Sequence, residues 1–319
     1  MAKIVILDGH SVNPGDITWK ALEGLGELII YDWTSREETV SHIGDAEIVL
    51  TNKTRITKEV LAACPGIRYI GVLATGYNAV DTEAAAARGI PVTNVPAYST
   101  STVAQFTFAL ILELCHHVGL HDASVKNGDW IRSRDFCYWL RPVIELEGMT
   151  LGIIGFGQIG RRVASIARGF GLRLLVFTPH PDPALEDDTL KFVSLDQLLA
   201  ASDIVSMHCP LTDSTKHMMD REAFGKMKQG SMFINVSRGP LVVEQDLRKA
   251  LESGHLLGAA CDVISREPMQ PDNPLLHAPG ILLTPHMAWG SVAARNRLLE
   301  TAAENIRCWM EGRPVHVVS

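Results

Sequence analysis

The sequence of 319 residues predicts an α/β protein built from two doubly wound parallel sheets. Short runs rich in Ile, Val and Leu alternate with segments of helical composition, which is typical of parallel strands joined by helices that cover both faces of a sheet. The alternation stops at a long helix after residue 100 and then starts again. At about 150 residues per domain, the length also suits two domains.

The first alternating series fills the first hundred residues. Strands bounded by Gly, Pro, Asn or Asp are predicted at residues 3–7, 27–31, 47–51, 69–73 and 91–94. Helices are predicted between them at residues 16–24, 36–43, 57–63 and 81–88, two of them with Thr or Asp at the N-cap position. These elements predict the first parallel sheet and its covering helices.

The second series follows a predicted helix at residues 101–118 and an irregular stretch that runs to residue 147. Its predicted strands are residues 151–155, 174–178, 204–209, 231–236, 257–262 and 281–284, and its helices are residues 158–169, 195–201, 221–227 and 243–253. A last amphipathic helix at residues 291–311 lies far beyond the final strand. We therefore predict one domain formed by residues 1–100 and 288–319, and a second formed by residues 101–287.

Composition excludes several classes of protein. The net charge of −7, from 29 basic and 36 acidic side chains, lacks the basic excess of a nucleic-acid binder. The longest apolar stretch, residues 103–115, is shorter than the roughly 20 residues that cross a bilayer, and the amino terminus has no signal-peptide pattern. Six cysteines without a C-x-x-C pair are typical of buried thiols in a reducing compartment. We expect a cytoplasmic protein that binds neither nucleic acid, membrane nor metal.

A dinucleotide site is predicted where the strand at residues 151–155 runs into G-x-G-x-x-G and then into a helix. Gly155 permits the tight turn, Gly157 lets the backbone approach a pyrophosphate, and Gly160 lets the helix pack on the strand. An acidic residue about 20 positions on would bind the adenosine ribose and repel a 2′-phosphate. Thr178 stands there, with no arginine nearby. We expect NAD as the cofactor, with NADP open as the alternative.

Three segments that follow predicted strands of the second domain carry side chains suited to catalysis: NVSRG (235–239), DVISREP (262–268) and TPHMAWG (284–290). Ligands of open α/β sheets bind beyond the carboxyl ends of the strands, so these segments should converge. Arg238, Glu267 and His286 are the set that reduction of a 2-keto acid needs. The arginine binds the carboxylate and polarises the keto oxygen, the histidine donates a proton, and the glutamate orients the charged imidazole.

These motifs, with GVLATGYNAVD (71–81), TVAQ (102–105), and HCPLT (208–212) followed by Thr215, resemble the D-isomer-specific 2-hydroxyacid dehydrogenase family. The resemblance covers nearly the whole chain and is closest to the glycerate dehydrogenase and hydroxypyruvate reductase branch. It implies that Arg238, Glu267 and His286 are the catalytic residues. It also implies a Rossmann cofactor domain inserted in a flavodoxin-like substrate domain, and a homodimer formed through the cofactor domain.

The resemblance further implies the binding residues. Asp262 matches the residue that binds the nicotinamide carboxamide, and Trp139 is a candidate for a tryptophan that reaches the active site of the partner subunit. The predicted substrate set is Leu73, Ala74, Thr75, Gly76, Arg238, His286 and Trp139. The predicted cofactor set is Val103, Gly155, Gly157, Gln158, Ile159, Gly160, Thr178, His208, Cys209, Pro210, Thr215, Val236, Ser237, Arg238, Asp262, His286 and Gly290.

The implied reaction moves a hydride between NAD(P)H and a small 2-keto acid, hydroxypyruvate or glyoxylate, giving D-glycerate or glycolate. Two alternatives stay open: a phosphoglycerate dehydrogenase without a regulatory domain, and a dinucleotide-sensing, corepressor-like binding protein. Residues 73–78 contain no Lys or Arg for a phosphate, which disfavours the first. The lack of a long disordered tail and of a peptide-binding extension disfavours the second. Gln105 departs from the family, which usually has glutamate there.

Overall fold

The computed structural model describes residues 2–319. The chain divides into two units: the first holds the residues up to Ser99 together with Trp289–Ser319, and the second is Thr100–Ala288. The second unit therefore lies within the chain of the first, which confirms the predicted insertion of one α/β fold in another.

The first unit contains a parallel sheet in the flavodoxin-like order β2-β1-β3-β4-β5. Its strands are β1 (Lys3–Ile6), β2 (Glu27–Ile30), β3 (Ile48–Thr51), β4 (Tyr69–Val72) and β5 (Val92–Thr93). Its helices are α1 (Lys20–Glu23), α2 (Thr39–Ile43), α3 (Lys58–Ala63), α4 (Thr82–Ala87) and the carboxyl-terminal α12 (Val292–Met310). A 3₁₀ turn, Gly9–Ser11, follows β1.

Helices cover both faces of this sheet, so apolar side chains are buried on each. Alternate residues of a strand point to opposite faces and therefore belong to different core clusters. Ile4 and Ile6 lie in the core cluster that contains Leu298 of α12. Val5 and Leu61, the latter on α3, lie in the cluster on the other face. Helix α12 therefore completes the core of the first unit.

The second unit contains a seven-stranded parallel sheet, in the order β12-β11-β10-β9-β6-β7-β8. Its strands are β6 (Thr150–Ile154), β7 (Arg173–Phe177), β8 (Leu190–Phe192), β9 (Ile204–Met207), β10 (Ser231–Asn235), β11 (Leu256–Cys261) and β12 (Ile281–Leu283). Counted from β6, this is the Rossmann order 3-2-1-4-5-6 with one strand added beyond β11. The order reverses between β6 and β9, where such sheets bind ligands.

The helices of the second unit lie between these strands or precede them. They are α5 (Thr100–His116), α6 (Val118–Lys126), α7 (Asp129–Arg132), α8 (Gln158–Gly169), α9 (Leu195–Ala201), α10 (Arg221–Lys226) and α11 (Glu244–Glu252), with 3₁₀ turns at Pro183–Leu185 and Gly239–Leu241. Within residues 2–319, no single helix is long and apolar enough to cross a membrane; α5 and α6 reach that length only together and are bent by 57°.

Two parts of the predicted secondary structure are wrong. Residues 118–147 are not all irregular, since they contain α6 and α7, and the short edge strand β8 was not predicted. Val118, Leu120 and Val125 of α6 are exposed, so this helix has no buried apolar stripe that a sequence pattern could reveal. His117 has φ +50° and ends the preceding helix earlier than its apolar composition indicates.

Candidate active site

The glycine loop after β6 has the geometry that each of its glycines predicts. Gly155 has φ +95°, and a Cβ there would lie 2.5 Å from the backbone nitrogen of Cys209. A Cβ on Gly160 would lie 2.2 Å from the carbonyl oxygen of Gly155, so α8 packs directly on the turn. At Gly157, by contrast, a Cβ would meet no atom of residues 2–319 within 4 Å. The space that the missing side chain leaves in front of α8 fits a pyrophosphate.

The side chain of His208 follows β9 at the point where the sheet order reverses. Its Nε2 is 2.8 Å from Ser206 Oγ, whereas its buried Nδ1 has no hydrogen-bond partner within residues 2–319. Burial lowers the pKa of this imidazole to about 3, so the ring is neutral at pH 7. An uncharged ring with an unused polar atom suits the adenosine end of a dinucleotide.

Thr178 lies just beyond the end of β7 and is half-buried. Its hydroxyl oxygen is 3.5 Å from the backbone nitrogen of His180, which leaves the O–H group able to donate to a ribose. Thr178 itself therefore carries no charge that would repel a 2′-phosphate, and the one basic side chain of this loop is the exposed His180.

Arg238 lies in the loop after β10, and contacts made by its neighbours Asn235 and Gly239 determine the position of its backbone. Asn235 is buried, and its amide group donates to the carbonyl of Arg238 (3.0 Å) and accepts the N–H of Ser237 (3.1 Å). A Cβ on Gly239 would lie 1.9 Å from the carbonyl carbon of Ile264, so only glycine fits here. The loop with Arg238 is thereby packed against the loop that leads to Glu267, while the guanidinium group remains exposed.

Glu267 and His286 form a hydrogen-bonded pair in the second unit. Glu267 Oε2 lies 2.7 Å from His286 Nδ1, and the other carboxylate oxygen accepts the N–H of Ile264 at 3.2 Å. Because a carboxylate only accepts hydrogen bonds, Nδ1 carries a proton and Nε2 is the nitrogen left for chemistry. Both side chains are partly exposed, 34% for Glu267 and 26% for His286.

Asp262 holds the backbone on which His286 sits. His286 has φ +51°, a region that favours glycine, and its N–H donates to the carbonyls of Asp262 (2.8 Å) and Thr284 (3.0 Å). The buried Asp262 carboxylate accepts the Thr284 hydroxyl (2.6 Å) and the N–H groups of Met287 and Ala288 (both 2.9 Å). Burial raises the pKa of this carboxyl, and these three donors oppose the rise. The Asp262 carboxylate thus accepts three hydrogen bonds from the loop that carries His286.

The loop after β4, in the first unit, is held through its carbonyl groups. The carbonyl of Leu73 accepts the Asn52 side-chain amide (2.5 Å), that of Ala74 accepts the Val95 N–H (3.0 Å), and that of Thr75 accepts the Asn94 side-chain amide (2.7 Å). The N–H groups of Ala74, Thr75 and Gly76 have no acceptor within the described chain.

The other predicted residues occupy several environments. Thr215 Oγ1 donates to the Pro210 carbonyl at 2.7 Å, and burial raises the pKa of the Cys209 thiol to about 11.

The remaining predicted residues lie elsewhere. The Gly290 carbonyl accepts a hydrogen bond from the Arg295 side chain, and Trp139 is 69% exposed. Val103 and Val236 are buried, Ser237 donates from its hydroxyl to the Met207 carbonyl at 2.8 Å, and Gln158 and Ile159 form the first turn of α8.

Comparison with known proteins identifies the family. The family described as "D-isomer specific 2-hydroxyacid dehydrogenase, NAD binding domain" matches residues 108–288, more than half of the chain. The chain belongs to this family. It is 49% identical to a hydroxypyruvate reductase of Blautia hydrogenotrophica over 99% of both chains, and 36% identical to a glycerate dehydrogenase of Methylorubrum extorquens over 99% of this chain and 98% of that one.

A solved structure has the same architecture. The TT0316 protein from Thermus thermophilus superimposes with a TM-score of 0.89 at 33% identity, over 99% of this chain and all of that one. The predicted fold class, the family and its oxidoreductase activity with a nicotinamide dinucleotide are therefore confirmed for this 2-hydroxyacid dehydrogenase.

Two side chains near the predicted residues were not assigned from the sequence. Asn235 was part of the segment that carries Arg238, but its two loop contacts were not foreseen. For Asn94, which directly follows β5, the sequence predicts only that it is the last residue of a strand. For Asn235 the available signal was a buried polar residue at a strand end, where an unpaired amide would be costly.

Proposed function

We propose that this chain reduces hydroxypyruvate, and glyoxylate beside it, to D-glycerate and glycolate. The contact of 2.7 Å between Glu267 and His286, beyond the carboxyl ends of the NAD-binding sheet, carries the proposal. The 49% identity to a hydroxypyruvate reductase over the full length favours this substrate over the alternatives. D-3-phosphoglycerate dehydrogenases match at 33% identity over little more than half of their own length.

In this proposal the second unit supplies both the proton donor and the arginine that binds the substrate. His286 donates a proton from Nε2 to the keto oxygen, and Glu267 keeps Nδ1 protonated and stabilises the charged ring. Arg238 binds the substrate's carboxylate and keto oxygens through its planar guanidinium. When bound, the reduced nicotinamide dinucleotide supplies the hydride. Gly155, Gly157, Gly160, Thr178, His208 and Asp262 are among the residues that would hold it.

The loop of Leu73, Ala74, Thr75 and Gly76 is proposed to bind the substrate carboxylate. Backbone N–H groups without an acceptor are suited to an anion, and successive N–H groups form anion-binding concavities in many proteins. The hydrogen bonds that the carbonyl groups of this loop accept support this binding role, because they hold the loop in place.

We also propose a homodimer in the cytoplasm, formed through the second unit. Ile131 is 90% exposed, Phe136 88% and Trp139 69%, and all three belong to α7 or to the segment after it. Large apolar side chains clustered on a surface mark association sites. Light scattering on the purified protein tests the dimer, and a monomeric mass at micromolar concentration would contradict it.

The substrate is tested by turnover with hydroxypyruvate, glyoxylate, phosphohydroxypyruvate and pyruvate, each with NADH and with NADPH. We expect the highest kcat/KM with hydroxypyruvate and the next with glyoxylate. A preference for phosphohydroxypyruvate would support the phosphoglycerate alternative. Tight dinucleotide binding without turnover of any keto acid would support a binding protein.

A further inference from the structure

Hydrogen bonds to successive carbonyl groups set the orientation of the peptide planes in the loop after β4. In a planar trans peptide, the carbonyl of one residue and the N–H of the next point in opposite directions. Holding the Thr75 carbonyl therefore fixes the direction of the Gly76 N–H. The group that holds it is the side-chain amide of Asn94, at 2.7 Å.

The backbone of Asn94 is itself held by hydrogen bonds with the carboxyl-terminal part of the first unit. Its backbone N–H donates to the His316 carbonyl (3.2 Å), and its carbonyl accepts the side-chain amide of Asn305 on α12 (2.9 Å). Asn305 is buried, and its other amide atom lies 2.8 Å from His316 Nδ1. The backbone of Asn94 is therefore held on both sides, which fixes the point from which its side chain reaches the Thr75 carbonyl.

We propose that Asn94 is a positioning residue for the substrate, and that Asn305 and His316 act through it. It aims the Gly76 N–H at the carboxylate of the 2-keto acid; the inference rests on the proposed function of this loop. The contact is to a part of the substrate that does not react. Its loss should weaken ground state and transition state equally, which raises KM and leaves kcat unchanged.

The test compares Asn94→Ala, Asn94→Asp and Asn305→Ala with a matched control, Asn296→Ala. Asn296 is an exposed asparagine on the same helix as Asn305. We expect Asn94→Ala to raise KM for hydroxypyruvate by about tenfold, the lower end of what one hydrogen bond to a charged group contributes. Asn94→Asp keeps the size but places an acceptor against the Thr75 carbonyl, so KM should rise further. Asn305→Ala should raise KM less, and Asn296→Ala should not change it.

In every variant of this set we expect kcat and the Kd of NADH to stay within about twofold of wild type. A KM for Asn94→Ala and Asn94→Asp within twofold of wild type would overturn the proposal. So would an equal fall in kcat and in NADH binding, which would indicate general loss of structure.

Oxalate binding, measured by calorimetry, separates this proposal from the proposed reaction. If wild type reduces no keto acid but binds oxalate more tightly than Asn94→Ala does, the reaction is wrong and the role of Asn94 stands. If wild type and Asn94→Ala bind oxalate equally, or neither binds it, the role of Asn94 is wrong whatever the reaction.

Discussion

Mild acid should destabilise the protein through His208. Burial holds the pKa of its imidazole near 3 in the folded chain, against about 6.5 when unfolded, so between pH 6.5 and 5 only the unfolded chain takes up this proton. A lowered folded-state pKa contributes stability that is present above the unfolded pKa and is lost as the pH falls. At about 1.36 kcal/mol per unit, the roughly 1.5 units down to pH 5 correspond to about 2 kcal/mol of unfolding free energy.

The substitution His208→Gln isolates this contribution because glutamine keeps a polar group and does not titrate. Urea unfolding at pH 7 and pH 5 should show that wild type loses about 2 kcal/mol more than the variant does. Circular dichroism and tryptophan fluorescence must give coincident transitions for these free energies to be compared. The exposed His277 supplies the control, and His277→Gln should lose as much as wild type. Equal losses in wild type and His208→Gln would refute a buried, neutral imidazole.

Three further substitutions test the proposed binding residues. Arg238→Lys keeps the charge but loses the planar fork, so kcat/KM for hydroxypyruvate should fall at least about tenfold with NADH affinity nearly unchanged; near-wild-type kinetics would mean that another group holds the keto acid. Thr178→Asp should sharpen the preference for NADH over NADPH by about tenfold or more, and a wild type that already discriminates by about a thousandfold would refute a deciding role for Thr178. Trp139→Ala should change the ranking of hydroxypyruvate, glyoxylate and bulkier keto acids without dissociating the dimer; a monomer with an unaltered ranking would make Trp139 an interface residue only.

The parts of the fold that follow from local sequence could be predicted. The glycine loop needs three glycines at fixed spacing after a buried strand, and each has its expected geometry in the structure. The proximity of Glu267 and His286 follows from a rule about parallel sheets, since both lie just beyond the carboxyl ends of strands.

Other contacts have no local pattern. Asn94 and Asn305 are 211 residues apart, and only the return of α12 to the first unit brings them together. The role of Asp262 in holding the histidine loop depends on three donors that all lie in the loop after a different strand, β12. Helix α6 was missed for a different reason: its apolar residues face outwards, so burial gives it no periodicity.

The most direct test of the account is the turnover of hydroxypyruvate by His286→Asn at saturating NADH. We expect kcat to fall by about 10²–10⁴-fold, the usual contribution of a general acid, while the Kd of NADH stays close to that of wild type. His277→Asn, at an exposed site, should match wild type in both quantities. A fall in kcat of less than about tenfold in His286→Asn would contradict the assignment of His286 as the proton donor.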